Sequence, residues 1–443
     1  MGAFPADFLW GIGSAAFAVE GGAGERGETI WDRFARKPGA VRDGTNGELA
    51  CDQLRRWDGD LEILRRLGVN AYRFSISWSR VFPAGSGQVN ERGLDHYQRL
   101  VDGLREHAIR PVAVLYHWDL PQALEDRGGW PNRDTAARFG DYAALLFDRL
   151  GDRVDLWISH HDPWASAFLG YGSGRLAPGR RQEGDALRAA HVLLLSHARA
   201  AEAFAPQRRR GSALGIALTL QPVLAASDAT EDQEAAAWAD AFLNRWLLDP
   251  LLRSGYPQEL REIYLERHPS WEPLPEDLAA LGRNRPDFLG VNYFTCRRVR
   301  RPERRDVLFD FAPSPADAPR TAAGWEVHPD GLLEVLERLD REYDHPELYV
   351  TGTGAAFPDQ TAEVVEDNAR IAFLEEHLIR AHRAVGTGVR LKGFFPWTLL
   401  DGFEWSFGFS RPFGLVAVDR QTMARSWKRS AYWYRDRIAA GRL

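Results

Sequence analysis

The chain has 443 residues, 44% hydrophobic and 27% charged, enough for a large buried core and typical of soluble globular composition. Its 56 basic and 62 acidic side chains leave a net charge of −6, spread along the sequence, which argues against a general nucleic-acid binder. No apolar run approaches the roughly 20 residues of a membrane span, and residues 1–11 have no basic stretch ahead of their apolar part, so they read as mature protein. Two cysteines, Cys51 and Cys296, are too few for a disulfide framework or a metal cluster and fit a reducing cytoplasm. Neither a metal nor an organic cofactor is indicated.

Short β-branched or aromatic runs alternate with amphipathic stretches from one end to the other. In chain order, a strand is expected at 8–13 and a loop at 37–49. A helix at 60–67 then leads to a strand at 71–76, a helix at 93–106 to a strand at 111–116, and a helix at 135–150 to a strand at 153–158. The pattern continues with a helix at 185–204, a strand at 214–219, a helix at 231–252 and a strand at 287–293. After a long irregular stretch at 302–321 come a strand at 348–351, a helix at 361–385 and a strand at 392–397. Eight strands, each followed by a helical segment, predict an α/β fold, a closed (β/α)8 TIM barrel forming one domain over residues 1–443. Gly11-Ile12-Gly13 does not extend to the glycine fingerprint of an open dinucleotide-binding sheet.

In such a barrel, chemistry gathers at the C-terminal ends of the strands. Polar and tryptophan-rich clusters fall there: Arg73 with Ser75-Ile76-Ser77-Trp78, His117-Trp118-Asp119, Ser159-His160-His161-Asp162, and Trp397 with Glu404-Trp405. Indole faces stack on the C–H faces of sugar rings. A tryptophan in a large barrel is as readily core as ligand platform, but Trp118, Trp397 and Trp405 each stand beside a polar residue at a strand end.

These clusters resemble glycoside hydrolase family 1, the β-glucosidase family, over essentially the whole chain. Phe8-Leu9-Trp10-Gly11 with Glu20-Gly21 is similar to its opening strand motif. The run from Ala71 to Arg80 resembles its second-strand motif, and Tyr116-His117-Trp118-Asp119-Leu120-Pro121 its third. Asn292-Tyr293, the run from Trp397 to Asp401, and Phe403-Glu404-Trp405 complete the set. The resemblance implies a retaining mechanism, in which one carboxyl protonates the leaving oxygen and a second, about 5 Å away, attacks the anomeric carbon. It also implies that Arg73, His117, Trp118, Asn292, Trp397, Glu404 and Trp405 bind substrate.

Where the family carries Asn-Glu for its acid, this chain reads His161-Asp162; where it carries the nucleophile, Thr351-Gly352-Thr353-Gly354 puts a glycine. Ala18 stands for a sugar-gripping glutamine and Phe294 for the tyrosine that supports the nucleophile. Three readings follow. The one adopted is a repurposed enzyme in which Asp162 and His161 carry out non-covalent acid/base chemistry (elimination, isomerisation, cyclisation or rearrangement) on a glycoside or polyol-like small molecule. The alternatives are a non-catalytic sugar-binding pseudo-glycosidase and a residual β-glycosidase, for which Asp359 and Glu347 are the nearest candidates for a second carboxylate. His160 is expected to be structural. Both His161 and Asp162 can serve only if the strand end is irregular, because side chains alternate along a strand. Arg73 without a nucleophile carboxylate is a buried charge in need of an anion, so an anionic substrate is expected. The arginine-rich stretch 297–305 reads as a solvated loop. The retained Phe403-Glu404-Trp405-Ser406 disfavours a sugar 6-phosphate.

Overall fold

The computed structural model describes residues 2–304, 306–358 and 364–441. Eight parallel strands close into a barrel: β1 (Leu9–Gly13), β2 (Ala71–Ser75), β3 (Arg110–Tyr116), β4 (Leu156–His161), β5 (Ala213–Thr219), β6 (Leu289–Asn292), β7 (Leu348–Thr353) and β8 (Leu391–Pro396). They follow one another around the ring in chain order, and β8 returns to β1. The (β/α)8 barrel expected from the alternation is therefore the observed fold.

Helices cover the outside because their apolar residues repeat at the helical period. In Glu91–Glu106 the buried positions are Gly93, Leu94, His96, Tyr97, Leu100, Val101 and Leu104, one face of the cylinder. The strands, covered by helices outside and side chains within, read instead as continuous apolar runs such as Val112–Leu115, all buried. Helix Gln53–Leu67 ends on Gly68 at φ 76°, a left-handed cap that a side chain would strain.

Several boundaries differ from the expectation, among them the helix predicted from residue 60, which starts at Gln53, and the irregular stretch 302–321, which holds a short strand at Asp310–Phe311. β4 runs three residues later than predicted, because Ser159, His160 and His161 stay in the ladder: His160 lies opposite Tyr116 and His161 opposite Ala217. The predicted helix at 231–252 is two helices, Thr230–Asp240 and Trp246–Leu252, joined by a wide turn at Ala241–Arg245. The start of the helix predicted at 361–385 falls on residues outside the described ones; the helix itself is Asn368–Gly386.

Beyond β1 the chain is anchored by a buried ion pair. Arg80 Nε donates to Glu20 Oε2 at 2.8 Å, its Nη2 donates to the Gly21 carbonyl, and the Tyr97 hydroxyl donates to Glu20 Oε1. Among the described residues no helix is long and apolar enough to cross a membrane.

Candidate active site

The C-terminal mouth of the barrel holds a cavity of about 180 Å³. His117 and Trp118 reach it from β3, His161 and Asp162 from β4, Thr219 from β5, and Trp397, Glu404 and Trp405 from the segment after β8. The indoles of Trp118 and Trp405 pack at 4.7 Å, and the His117 ring lies 5.6 Å from Trp397. These rings make the apolar, hydrogen-bonding floor that a sugar ring needs.

His161 and Asp162 face the same cavity because the end of β4 is irregular. The register with β5 shifts between Ile158 and His161, and Asp162 sits at φ 45°, a left-handed conformation costing a non-glycine residue about 1–2 kcal/mol. Two contacts hold it there. Asp162 N–H donates to the Ala217 carbonyl at 2.8 Å, and the Trp118 indole N–H donates to the carbonyls of His161 (3.0 Å) and Asp162 (3.3 Å). Trp118 is itself left-handed at φ 73°.

Burial dominates the electrostatics. It pushes the Asp162 carboxyl up to about 6, against hydrogen bonds from Thr219 and the Ala165 N–H that favour the anion. Burial likewise pushes Glu404 up to about 8, although the Trp397 indole donates to its Oε2 at 3.1 Å. His161 is held well below its ordinary range by burial and then by the Arg73 charge; His117, stacked on it at 3.8 Å, is held down by burial, by His161 and by Arg73. A guanidinium only donates, so at 3.2 Å from Arg73 Nη1 the His161 Nδ1 accepts and the ring proton is on Nε2. His160 points away from the cavity. Its Nε2 lies 2.8 Å from Ser196 Oγ, whose own proton goes to the Leu193 carbonyl, so His160 is the donor in a structural contact.

The raised Glu404 pKa has a consequence for stability. Between about 4.5 and about 8 the folded chain binds this proton more tightly than the unfolded chain, so stability falls as pH rises through that window. The thermal midpoint is expected to drop between pH 5 and pH 8, and Glu404→Gln, which mimics the protonated acid, is expected to flatten that drop. An unchanged slope in the variant would refute the assignment.

Arg73 and Asn292 lie deeper, both with no exposed surface. Asn292 Oδ1 accepts from Thr351 Oγ1 at 2.9 Å. Gly352 is on β7 opposite Asn292, and a Cβ there would lie 2.9 Å from Asn292 Oδ1 and 3.7 Å from the Phe294 ring. Ala18 is buried, its carbonyl accepting from Phe403 N–H. Glu347 is at the opposite end of β7, bonded by Tyr349 and 3.7 Å from Arg390, so it cannot serve this cavity. Asp359 lies outside the described residues.

Several lining residues carried no signal in the sequence reading. Thr219 and Gln221 flank the end of β5, and Trp325 comes from an irregular segment. Part of the arginine-rich stretch is not a loop: Arg297–Arg300 pairs with Val223–Ala225 and Asp310–Phe311 in a small sheet. Arg297 lines the cavity and donates to Gln221 Oε1 at 3.0 Å, whereas Arg298, Arg300 and Arg304 pair with Glu326, Glu303 and Asp306. Arg305 is outside the described residues. Among the described residues, Cys296, Glu326 and His328 bring three potential metal-ligand atoms within 4.8 Å of one another. Glu326 is already held by both prongs of Arg298, at 3.0 Å each, so a cation there would compete with a guanidinium.

The model of Glycosyl hydrolase family 1 matches residues 1–442. The chain belongs to this family. It is 40% identical over 440 residues, 98% of each chain, to beta-glucosidase A of Acetivibrio thermocellus, and 42% identical to beta-glucosidase A of Thermotoga maritima, covering 97% of this chain and 96% of that one. Among solved structures it is similar to the AHE enzyme of Alicyclobacillus herbarius (43% identity, 99% of both chains, TM-score 0.95). It is also similar to the Thermotoga maritima beta-glucosidase in complex with glucoimidazole (40% identity, all of both chains, TM-score 0.94). These full-length family 1 relatives overturn the expectation of a repurposed, non-hydrolytic acid/base enzyme and support ordinary glycoside hydrolysis. The geometry supplies a physical reason: His161, counted on as a proton shuttle, is locked as a neutral acceptor beneath Arg73.

Proposed function

We propose that the chain hydrolyses β-glycosides, with Asp162 as the acid that protonates the leaving oxygen, and that it works without a carboxylate at position 352. The observation that carries this reading is a buried acid at the barrel mouth, in a chain that aligns end to end with β-glucosidases. A carboxyl titrating near 6 is still partly protonated at neutral pH and ready to donate. The protonated Glu404 offers a hydrogen bond to a sugar hydroxyl, and Trp118, Trp397 and Trp405 supply faces for the ring.

Gly352 brings no group able to bond the anomeric carbon, Asp162 serves as the acid, and Glu404 is protonated and held by Trp397. Water therefore takes that carbon. The bond to the aglycone breaks, its oxygen takes the Asp162 proton, and the incoming water releases its own proton to solvent. Buried, free Cys51 and Cys296 support the reading of a reducing, cytoplasmic setting.

Glucose release from cellobiose and from p-nitrophenyl β-D-glucoside tests the function. Release from the β-glucosides and none from the α-anomer is expected. Binding of glucosides with no glucose formed over a day would overturn it.

A further inference from the structure

Two groups of side chains line the cavity, and Asp162 stands between them. On one side His161 stacks on His117 at 3.8 Å, and His117 lies 5.4 Å from Trp405 and 5.6 Å from Trp397. On the other, the Asp162 carboxyl takes a hydrogen bond from Thr219, and Gln221, two residues on, is bonded by Arg297. An acid that protonates the leaving oxygen divides the sugar from the group that leaves, so the second side faces the leaving group.

That second side is largely apolar and carries one cation. Trp164, Leu169, Leu243 and Trp325 supply flat or aliphatic surface, and Arg297 supplies the charge. A row of rings runs from the first of these to the last: Trp164 lies 5.4 Å from Phe242, Phe242 6.2 Å from Phe309, Phe309 5.5 Å from Phe311, and Phe311 5.9 Å from the Arg297 guanidinium carbon.

Arg297 is held in place from both ends. It pairs with Val223 in the small sheet, its N–H donates to the Pro222 carbonyl at 2.9 Å, and its Nε donates to Gln221 Oε1 at 3.0 Å. Gln221 is clamped in turn by Asn244, whose Oδ1 accepts from the Gln221 N–H and whose Nδ2 donates to the Gln221 carbonyl. Arg298, Arg300 and Arg304 of the same run find acids, but among the described residues Arg297 pairs with none, and its Nη1 and Nη2 make no hydrogen bond. Burial first, and the like charge of exposed Arg175 second, pull this guanidinium below its ordinary range, a penalty that an anion would relieve. With Nε taken by Gln221, the edge left open is Nη1–Nη2, which takes both oxygens of a carboxylate at once.

We propose that the chain prefers β-glucosides whose leaving group is an aromatic ring bearing a carboxylate, the ring lying on the apolar side and the carboxylate meeting the Nη1–Nη2 edge of Arg297. This rests on the β-glycosidase reading for which side of Asp162 the leaving group takes; the anion preference itself is measured without turnover.

The test compares 4-carboxyphenyl with 4-carbamoylphenyl β-D-glucoside, close in size and different in charge. Binding is read by titration calorimetry on the matching 1-thio-glucosides, whose sulfur takes a proton from Asp162 poorly. The acid is expected to bind about tenfold more tightly than the amide at low ionic strength, and the gap to narrow as salt is added. Arg297→Gln is expected to bring the two ligands level, and Arg297→Lys, which keeps the charge, to retain part of the gap. Equal binding by the unaltered chain, or a gap that survives in Arg297→Gln, would overturn the proposal. A gap in binding with neither O-glucoside cleaved would support the anion subsite and refute the glycosidase reading; cleavage of both with no gap would do the reverse.

Discussion

Asp162→Asn is expected to slow cleavage of β-glucosides by about 10²–10⁴-fold, the usual contribution of a positioned general acid. The loss should be greatest for alkyl glucosides, whose poor leaving groups need the proton, and smaller for nitrophenyl glucosides, which leave without it. The pH profile separates this role from a structural one. An acid works only while protonated, so kcat/KM for the unaltered chain should fall as pH rises through about 6, and the variant should lose that limb. A variant that keeps both its rate on alkyl glucosides and its limb near 6 would remove Asp162 from the chemistry.

Glu20→Ala is expected to cost about 3–5 kcal/mol, the largest single stability loss foreseen here, because it leaves the Arg80 guanidinium buried and uncompensated. The Tyr97 hydroxyl would lose its acceptor as well. Urea unfolding measures the change as a shift of midpoint at unchanged slope. Replacing the pair together, Glu20→Leu with Arg80→Met, should recover most of the loss, since the penalty belongs to the stranded charge and not to the missing attraction. If the double variant is as unstable as the single one, the pair is holding the segment after β1 by geometry and not by charge balance.

The barrel was legible because burial on both faces makes its strands read as continuous apolar runs between helical periods. The end of β4 was not. Ser159, His160 and His161 look like a loop in composition, and only pairing with Tyr116 and Ala217 shows them to be strand. That His161 and Asp162 share one cavity depends on the left-handed turn at Asp162, which an aspartate permits but does not announce. The break in the helix predicted at 231–252 left no trace either, since Ala241–Arg245 continues the same apolar rhythm. Arg297 was hidden by its neighbours: one arginine in a charged run turns inward to Gln221 while Arg298, Arg300 and Arg304 pair with Glu326, Glu303 and Asp306. Trp325 has no periodicity around it from which a role could be drawn.

One indole ties two jobs together. Trp118 both walls the cavity and, through its N–H, grips the backbone that aims Asp162. Trading it for a ring without that N–H would alter the shape offered to a ligand and the placement of the acid in a single stroke. Selectivity and proton delivery are thereby mechanically linked, and changes to one should have to be accompanied by repairs along the last residues of β4.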